Sequence, residues 1–186
     1  MKRAFDIAFV LAFGCILLPV AIVVAVAVRL TDYGPVLFWS DRVGRDEKIF
    51  KMPKFRTMRA NAPQLPTHKM TDARQWLTPI GAFLRRSSLD EIPQLWSILV
   101  GDMSVIGPRP ALFNQDDLIA LRREAGVNAQ RPGLTGWAQV NGRDTLPIPE
   151  KVKLEGYYLK KRGFRLDCRI LWLTFWRVLA RKDVSH

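Results

Sequence analysis

A chain of 186 residues has room for one domain with a sizeable core and none for a second large one. With 29 Lys and Arg against 17 Asp and Glu it is formally +12, a balance that calls for an anionic partner: nucleic acid, an anionic membrane surface or a phosphorylated substrate. Two cysteines far apart, Cys15 and Cys168, do not make a disulfide scaffold and suit a reducing compartment, while two histidines, His68 and His186, argue against a histidine metal site or a Ser–His triad.

The run from Ile7 to Val28 carries no charge. As a straight helix it would be about 33 Å long, enough to cross a hydrocarbon core of roughly 30 Å. Ala25-Val26-Ala27 has the small-x-small form of a signal-peptide cleavage site, but the apolar run is longer than the usual h-region. Pro19 removes one backbone donor and frees the carbonyl of Cys15, so a kink is expected near the middle, where Gly14 adds freedom. Cations flank both ends, Lys2 and Arg3 before and Arg29 after, which suits keeping both ends on the cytoplasmic face. A re-entrant helix and a kinked spanning helix satisfy these facts equally.

After Arg29 the composition is that of a polar globular domain. Asp32-Tyr33-Gly34-Pro35 reads as a turn, and Val36–Trp39 and Ile49–Met52 as short strands around a charged turn containing Gly44. A polar, proline-containing loop spans about Asn61 to Asp72. Helices are expected over Pro79–Arg86, Ser88–Val100 and Asn114–Arg123. In the last segment, about 167–182, Arg169, Arg177 and Arg181 share one side of a helix and Trp172 and Trp176 another, a pattern suited to the headgroup region of a bilayer. A core helix with snorkelling arginines has the same pattern.

The chemistry concentrates in Arg85-Arg86-Ser87-Ser88-Leu89-Asp90-Glu91-Ile92-Pro93-Gln94-Leu95. Ser88 and Glu91 are spaced as a capping box, and acidic residues favour a first helical turn, so the pair has a purely structural explanation. Its surroundings add weight to a functional one. Lys54 and Arg56 lie in Lys54-Phe55-Arg56-Thr57-Met58, Arg109 in the stiff Gly107-Pro108-Arg109-Pro110, and Arg143 follows Asn141-Gly142. A carboxylate among cations stays ionised and can act as a nucleophile or metal ligand, and arginines grip phosphate oxygens bidentately. Together these residues make a plausible phosphoryl-transfer site.

These segments, with Gly101-Asp102-Met103-Ser104 and Arg131-Pro132-Gly133-Leu134-Thr135-Gly136-Trp137-Ala138-Gln139-Val140-Asn141-Gly142-Arg143, resemble the monotopic phosphoglycosyl transferases, the bacterial sugar transferase family. The resemblance covers essentially the whole chain and is to the small members, built of the catalytic domain alone. It implies an α/β, mainly α fold: residues 1–30 as a re-entrant membrane helix broken at Pro19, and 31–186 as a cytoplasmic catalytic domain with interfacial amphipathic helices. It also implies an enzyme of the bacterial inner membrane that takes the sugar phosphate of a UDP-sugar, releases UMP and passes the phosphosugar to polyprenol (undecaprenyl) phosphate, the first membrane step of glycoconjugate assembly. Asp90 would be nucleophile and Mg²⁺ ligand, Glu91 its catalytic partner, and Lys54, Arg85, Arg109 and Arg143 would contact phosphates and nucleotide. The resemblance implies no nucleic-acid partner and leaves a homodimer open.

The chain departs from the family pattern in places. Leu18 stands where many relatives have Ser before the membrane proline, Glu155 where an Asp often precedes the Tyr-Tyr pair, and Lys161 and Gly163 replace an Asn and a Ser. These changes leave the reaction class alone and the donor sugar unassigned. Two other classes fit the composition: a non-enzymatic, membrane-anchored basic binding module, and a membrane-associated phosphatase using the same carboxylates. The first would bind with steep salt dependence and no need for a divalent metal; the second would need no lipid acceptor.

Overall fold

An apolar helix with charges only at its ends must find partners for those ends, and here both find them on the same domain. The computed structural model describes residues 2–59, 61–62, 73–142 and 146–180. Most of the loop expected over Asn61–Asp72, Arg143 and the C-terminal end of the segment expected over 167–182 lie outside them.

Helix α1 (Lys2–Thr31) runs 30 residues, about 45 Å, with Pro19 inside it. The expected two-segment arrangement is therefore one helix, in which the proline deletes a ladder hydrogen bond without ending the element. Only Asp6, Val10, Val24 and Val28 of α1 are buried. Between the two buried pairs Leu11, Phe13, Ile16, Leu18 and Ile22 are exposed.

The first end of α1 docks through charge as well as packing. Val10 enters a core with Met52, Ile98, Val105, Tyr158 and Ile170. Asp6, 2% exposed, accepts hydrogen bonds from Ser104 Oγ and the Val105 amide, both at 2.9 Å. Lys2 Nζ donates to the Tyr158 hydroxyl at 2.8 Å, which donates to Asp167 at 2.7 Å. Arg3 donates to the carbonyls of Ile98 and Leu99, satisfying groups that a helix leaves open at its C-terminal end.

The second end docks on the same domain through a separate cluster. Val24 and Val28 pack with Phe55 and Leu84. The turn after α1 is clamped by Arg56, which pairs with Asp32 Oδ2 at 2.9 Å and donates to the Asp32 carbonyl. Gly34 leaves room for this clamp: a Cβ there would come within 2.8 Å of Arg56 Nη1 and the guanidinium would have to shift.

Among the described residues the domain holds two small sheets. Strands β1 (Leu37–Val43) and β2 (Ile49–Phe55) pair antiparallel, and β4 (Ala111–Leu112) pairs with β1 on its other edge. Both β1 and β2 extend three residues or so beyond the expected strands. In this register Phe38 lies opposite Lys54, Ser40 opposite Met52 and Arg42 opposite Phe50, so alternation places Ser40 and Arg42 on the face that carries Lys54. The second sheet pairs β3 (Ser104–Ile106) parallel with β5 (Gly133–Thr135).

Helices surround the sheets: α2 (Gly81–Ser87), α3 (Gln94–Val100), α4 (Asp116–Glu124), α5 (Ile148–Lys161) and α6 (Phe164–Ala180). On α6, Trp172, Phe175, Trp176 and Val178 are exposed, with the two indole rings edge to face at 5.6 Å. Trp96, Leu99 and Val100 of α3, the helix packed on α1, are exposed too.

Replacing Asp6 by Leu should cost about 2 kcal/mol, because the Ser104 hydroxyl and Val105 amide would lose a charged acceptor. Chemical denaturation in detergent, wild type against Asp6→Leu, reads this directly, and an unchanged midpoint would show that the contact does not hold α1.

Candidate active site

Asp90 and Glu91 occupy a 3₁₀ turn, Leu89–Glu91, between α2 and α3. The sequence expectation of one helix over Ser88–Val100 is thus corrected. Ser88 adopts a left-handed conformation (φ 56°) that closes α2 and starts the 3₁₀ turn, and α3 begins only after Pro93, which has no N–H to continue a ladder. No side-chain hydrogen bond caps the turn at Ser88, so the capping-box explanation for the acidic pair does not apply.

What the pair touches instead is cationic. Glu91 Oε1 accepts from Lys54 Nζ at 2.9 Å and from Arg109 Nη2 at 3.2 Å. Lys54 Nζ also lies 3.9 Å from Asp90 Oδ2. Arg85, on the last turn of α2, reaches over to donate from Nε to Thr57 Oγ1 at 3.0 Å. Three segments apart in sequence, around Lys54, around Arg85–Glu91 and around Arg109, therefore bring Lys54, Arg85, Asp90, Glu91 and Arg109 together, as expected. Arg143, the remaining expected contact, lies outside the described residues.

The electrostatics are finely opposed. Burial is the largest influence on Asp90 and pushes its carboxyl up; Lys54, Arg85 and Arg109 pull it back, while Glu91 adds to the rise. The sequence-level expectation that cations alone would settle its ionisation omitted burial, which wins. Burial likewise pulls the Arg85 guanidinium below its ordinary value, opposed by Asp90. Asp90 is thus a desolvated carboxylate bounded by cations, the condition under which an oxygen nucleophile gains reactivity.

The loop that presents Arg109 is fastened from every side. Gly107 N donates to Thr135 O and Gly133 N to Pro108 O, both at 2.8 Å. The two backbones approach so closely that a Cβ on Gly133 would sit 2.0 Å from Gly107 N, which explains why both motifs carry glycine there. The carbonyls of Arg109 and Pro110 accept from Arg122 Nη2 at 2.9 Å and Arg42 Nη1 at 3.2 Å. Arg122 is itself held bidentately by Glu155, at 2.8 and 2.5 Å, both residues being buried.

Arg42, Arg122 and Glu155 were not among the residues the sequence pointed to as functional. Arg42 was hidden because the strand was expected to stop at Trp39; extended to Val43, the alternation puts it beside Lys54's face. No local pattern betrays Arg122–Glu155, whose partners come from different helices.

For a metal, the donor set is small. Among the described residues no cluster of three or more His, Cys, Asp or Glu exists. Two adjacent carboxylates fit Mg²⁺, which keeps several waters and takes its other oxygens from substrate phosphates, and do not fit a closed structural site.

A family model described as bacterial sugar transferase matches residues 1–181. An uncharacterised sugar transferase of Bacillus subtilis (strain 168), EpsL, is 35% identical over 186 residues, covering 100% of this chain and 91% of that one. The UDP-glucose:undecaprenyl-phosphate glucose-1-phosphate transferase of Escherichia coli (strain K12) is 35% identical over 98% of this chain, which spans only 41% of that protein. A UDP-N-acetylgalactosamine-undecaprenyl-phosphate N-acetylgalactosaminephosphotransferase of Aeromonas hydrophila is 32% identical over 97% of this chain and 44% of its own length.

Replacing Arg122 by Ala should cost about 3–5 kcal/mol, because it strands a buried Glu155 carboxylate. The double replacement Arg122→Met with Glu155→Leu should recover most of that loss in denaturation midpoints. A fully stable Arg122→Ala would mean that the pair is not buried as described.

Proposed function

This chain belongs to the bacterial sugar transferase family, and from that premise we propose that it transfers a sugar 1-phosphate from a UDP-sugar to undecaprenyl phosphate at the cytoplasmic face of the bacterial inner membrane. The observation that carries the reading is the buried Asp90 in a tight turn, ringed by Lys54, Arg85 and Arg109, at the foot of an apolar helix.

An Asp90 carboxylate oxygen attacks the phosphorus that bears the sugar. The bond from that phosphorus to the bridging oxygen breaks, UMP leaves with the electron pair, and the phosphosugar stays on Asp90 as an acyl phosphate. A phosphate oxygen of the lipid carrier then attacks the same phosphorus, and the carboxylate leaves, forming the lipid-linked diphosphosugar and restoring Asp90. Glu91, held by Lys54 and Arg109, keeps those cations aimed at the phosphates and can move a proton to or from the lipid phosphate. Arg109, Lys54, Arg85 and, by its motif, Arg143 stabilise the charge that moves to the leaving and attacking oxygens. Asp90, with Glu91 beside it, would hold Mg²⁺, which when bound neutralises diphosphate charge.

That both ends of α1 stay on one face of the membrane is supported by their docking on one domain. A helix crossing the bilayer would carry one end to the opposite face, yet Asp6 and Val28 both contact the domain that bears Asp90. The outward residues Leu11, Phe13, Ile16 and Leu18 and the aromatic surface of α6 would then enter the same leaflet, and the cations at both ends of α1 would stay at the headgroups. The relatives are named for different sugars, so the donor sugar is the property to be measured.

Detergent-purified protein given Mg²⁺, undecaprenyl phosphate and a panel of UDP-sugars should release UMP with one donor, and Asp90→Asn should abolish both UMP release and a phosphosugar adduct seen by intact mass. An active Asp90→Asn enzyme would sink the nucleophile assignment. Sugar phosphate released without the lipid would favour a phosphatase.

A further inference from the structure

We propose that Arg42 is a direct contact for the diphosphate of the nucleotide sugar, an inference that rests on the transferase reading above. Its side chain reaches the site from β1, on the face shared with Lys54, and is held in place by two hydrogen bonds: Nε to Ser40 Oγ at 3.0 Å and Nη1 to the Pro110 carbonyl at 3.2 Å. Ser40 is itself buried, so this anchor is fixed. Neither bond uses Nη2, and that edge of the guanidinium remains able to donate to an anion.

The surroundings show which ligand is missing. Among the described residues, the two arginines of lowest exposure, Arg56 and Arg122, each hold a carboxylate, Asp32 and Glu155. Arg42, largely withdrawn from solvent, makes no ion pair among the described residues and faces another guanidinium instead. Its charge is disfavoured by burial first and by Arg109 second, with Glu91 opposing, and it is pushed down to about 10. A desolvated cation beside a like charge is costly unless an anion completes the site.

Charge balance points the same way. Lys54, Arg85, Arg109 and Arg42 surround the two carboxylates Asp90 and Glu91, so cations outnumber carboxylates among these described side chains. Such an excess calls for an anionic ligand, which a diphosphate supplies. Arg42 also bonds the carbonyl beside Arg109, so the two guanidinium groups are fixed relative to one another, as a pair gripping adjacent phosphate oxygens requires. A bulky neutral side chain would have filled the same space on β1 without the electrostatic cost.

The test uses UDP as the probe and does not depend on turnover. Calorimetric titration of UDP into the full-length, detergent-purified chain should show Arg42→Gln binding about tenfold more weakly than wild type and Arg42→Lys falling between them. The ligand-free thermal midpoint of Arg42→Gln should stay near the wild-type value, since its amide nitrogen takes the place of Arg42 Nε and can still donate to Ser40 Oγ. Equal UDP affinities in wild type and Arg42→Gln overturn the assignment. So does a loss of affinity that appears only together with a lowered ligand-free midpoint in both variants, which would make Arg42 a structural tie, and so does a wild type that binds no UDP. A wild type that binds UDP but never releases UMP would instead count against the transferase reading and leave the Arg42 comparison valid.

Discussion

Everything in this structure depends on one apolar helix being fastened to one domain at both of its ends. The apolar surface of α1 has no use in water, and its length is that of a membrane element. Yet its charged ends are built into the folded core, Asp6 into β3 and the turn after Thr31 onto β2 through Arg56. The strand that receives the second clamp also carries Lys54, and the strand that receives the first leads directly into Gly107–Pro110 and Arg109. Docking of the apolar helix and presentation of the site are thus one piece of architecture.

The second constraint is electrostatic. The site gathers more cations than it neutralises and then removes water from the carboxylate that matters, so burial and charge work against each other at Asp90. Holding arginines in such a place demands structural effort, visible in the buried Arg122–Glu155 pair and in the glycine contacts between Gly107 and Gly133. Those features stiffen the loop carrying Arg109, and positioning rather than covalent variety is what phosphoryl transfer asks of a protein.

Much of this was legible in the sequence, for physical reasons. A charge-free run flanked by cations can hardly be anything but a membrane-length helix, and the Trp/Arg pattern near the C-terminus gave α6 to within a few residues at its start. Asp90, Glu91, Lys54, Arg85 and Arg109 were found through motifs, and they converge. The short strands β3 and β5 were not visible, because three-residue segments such as Ser104–Ile106 are too short for any period to show. The break within Ser88–Val100 was missed because Ser88 and Glu91 imitate a helix start, while Ser88 in fact turns left-handed and Pro93 delays α3. Arg122–Glu155 joins two helices, and Arg42 acts across β1; such long-range partners leave no local trace.

The most direct test of the double anchoring is the sidedness of the two ends of α1. In a Cys15→Ser, Cys168→Ser background, single cysteines at Ala4 and Tyr33, both exposed, would be challenged with a membrane-impermeant thiol reagent in spheroplasts and in inverted inner-membrane vesicles. Labelling of both positions in the inverted vesicles, and of neither in spheroplasts, is the predicted result. Labelling of Ala4→Cys and Tyr33→Cys from opposite faces would contradict the account, because α1 would then span the bilayer and its two ends could not share one domain.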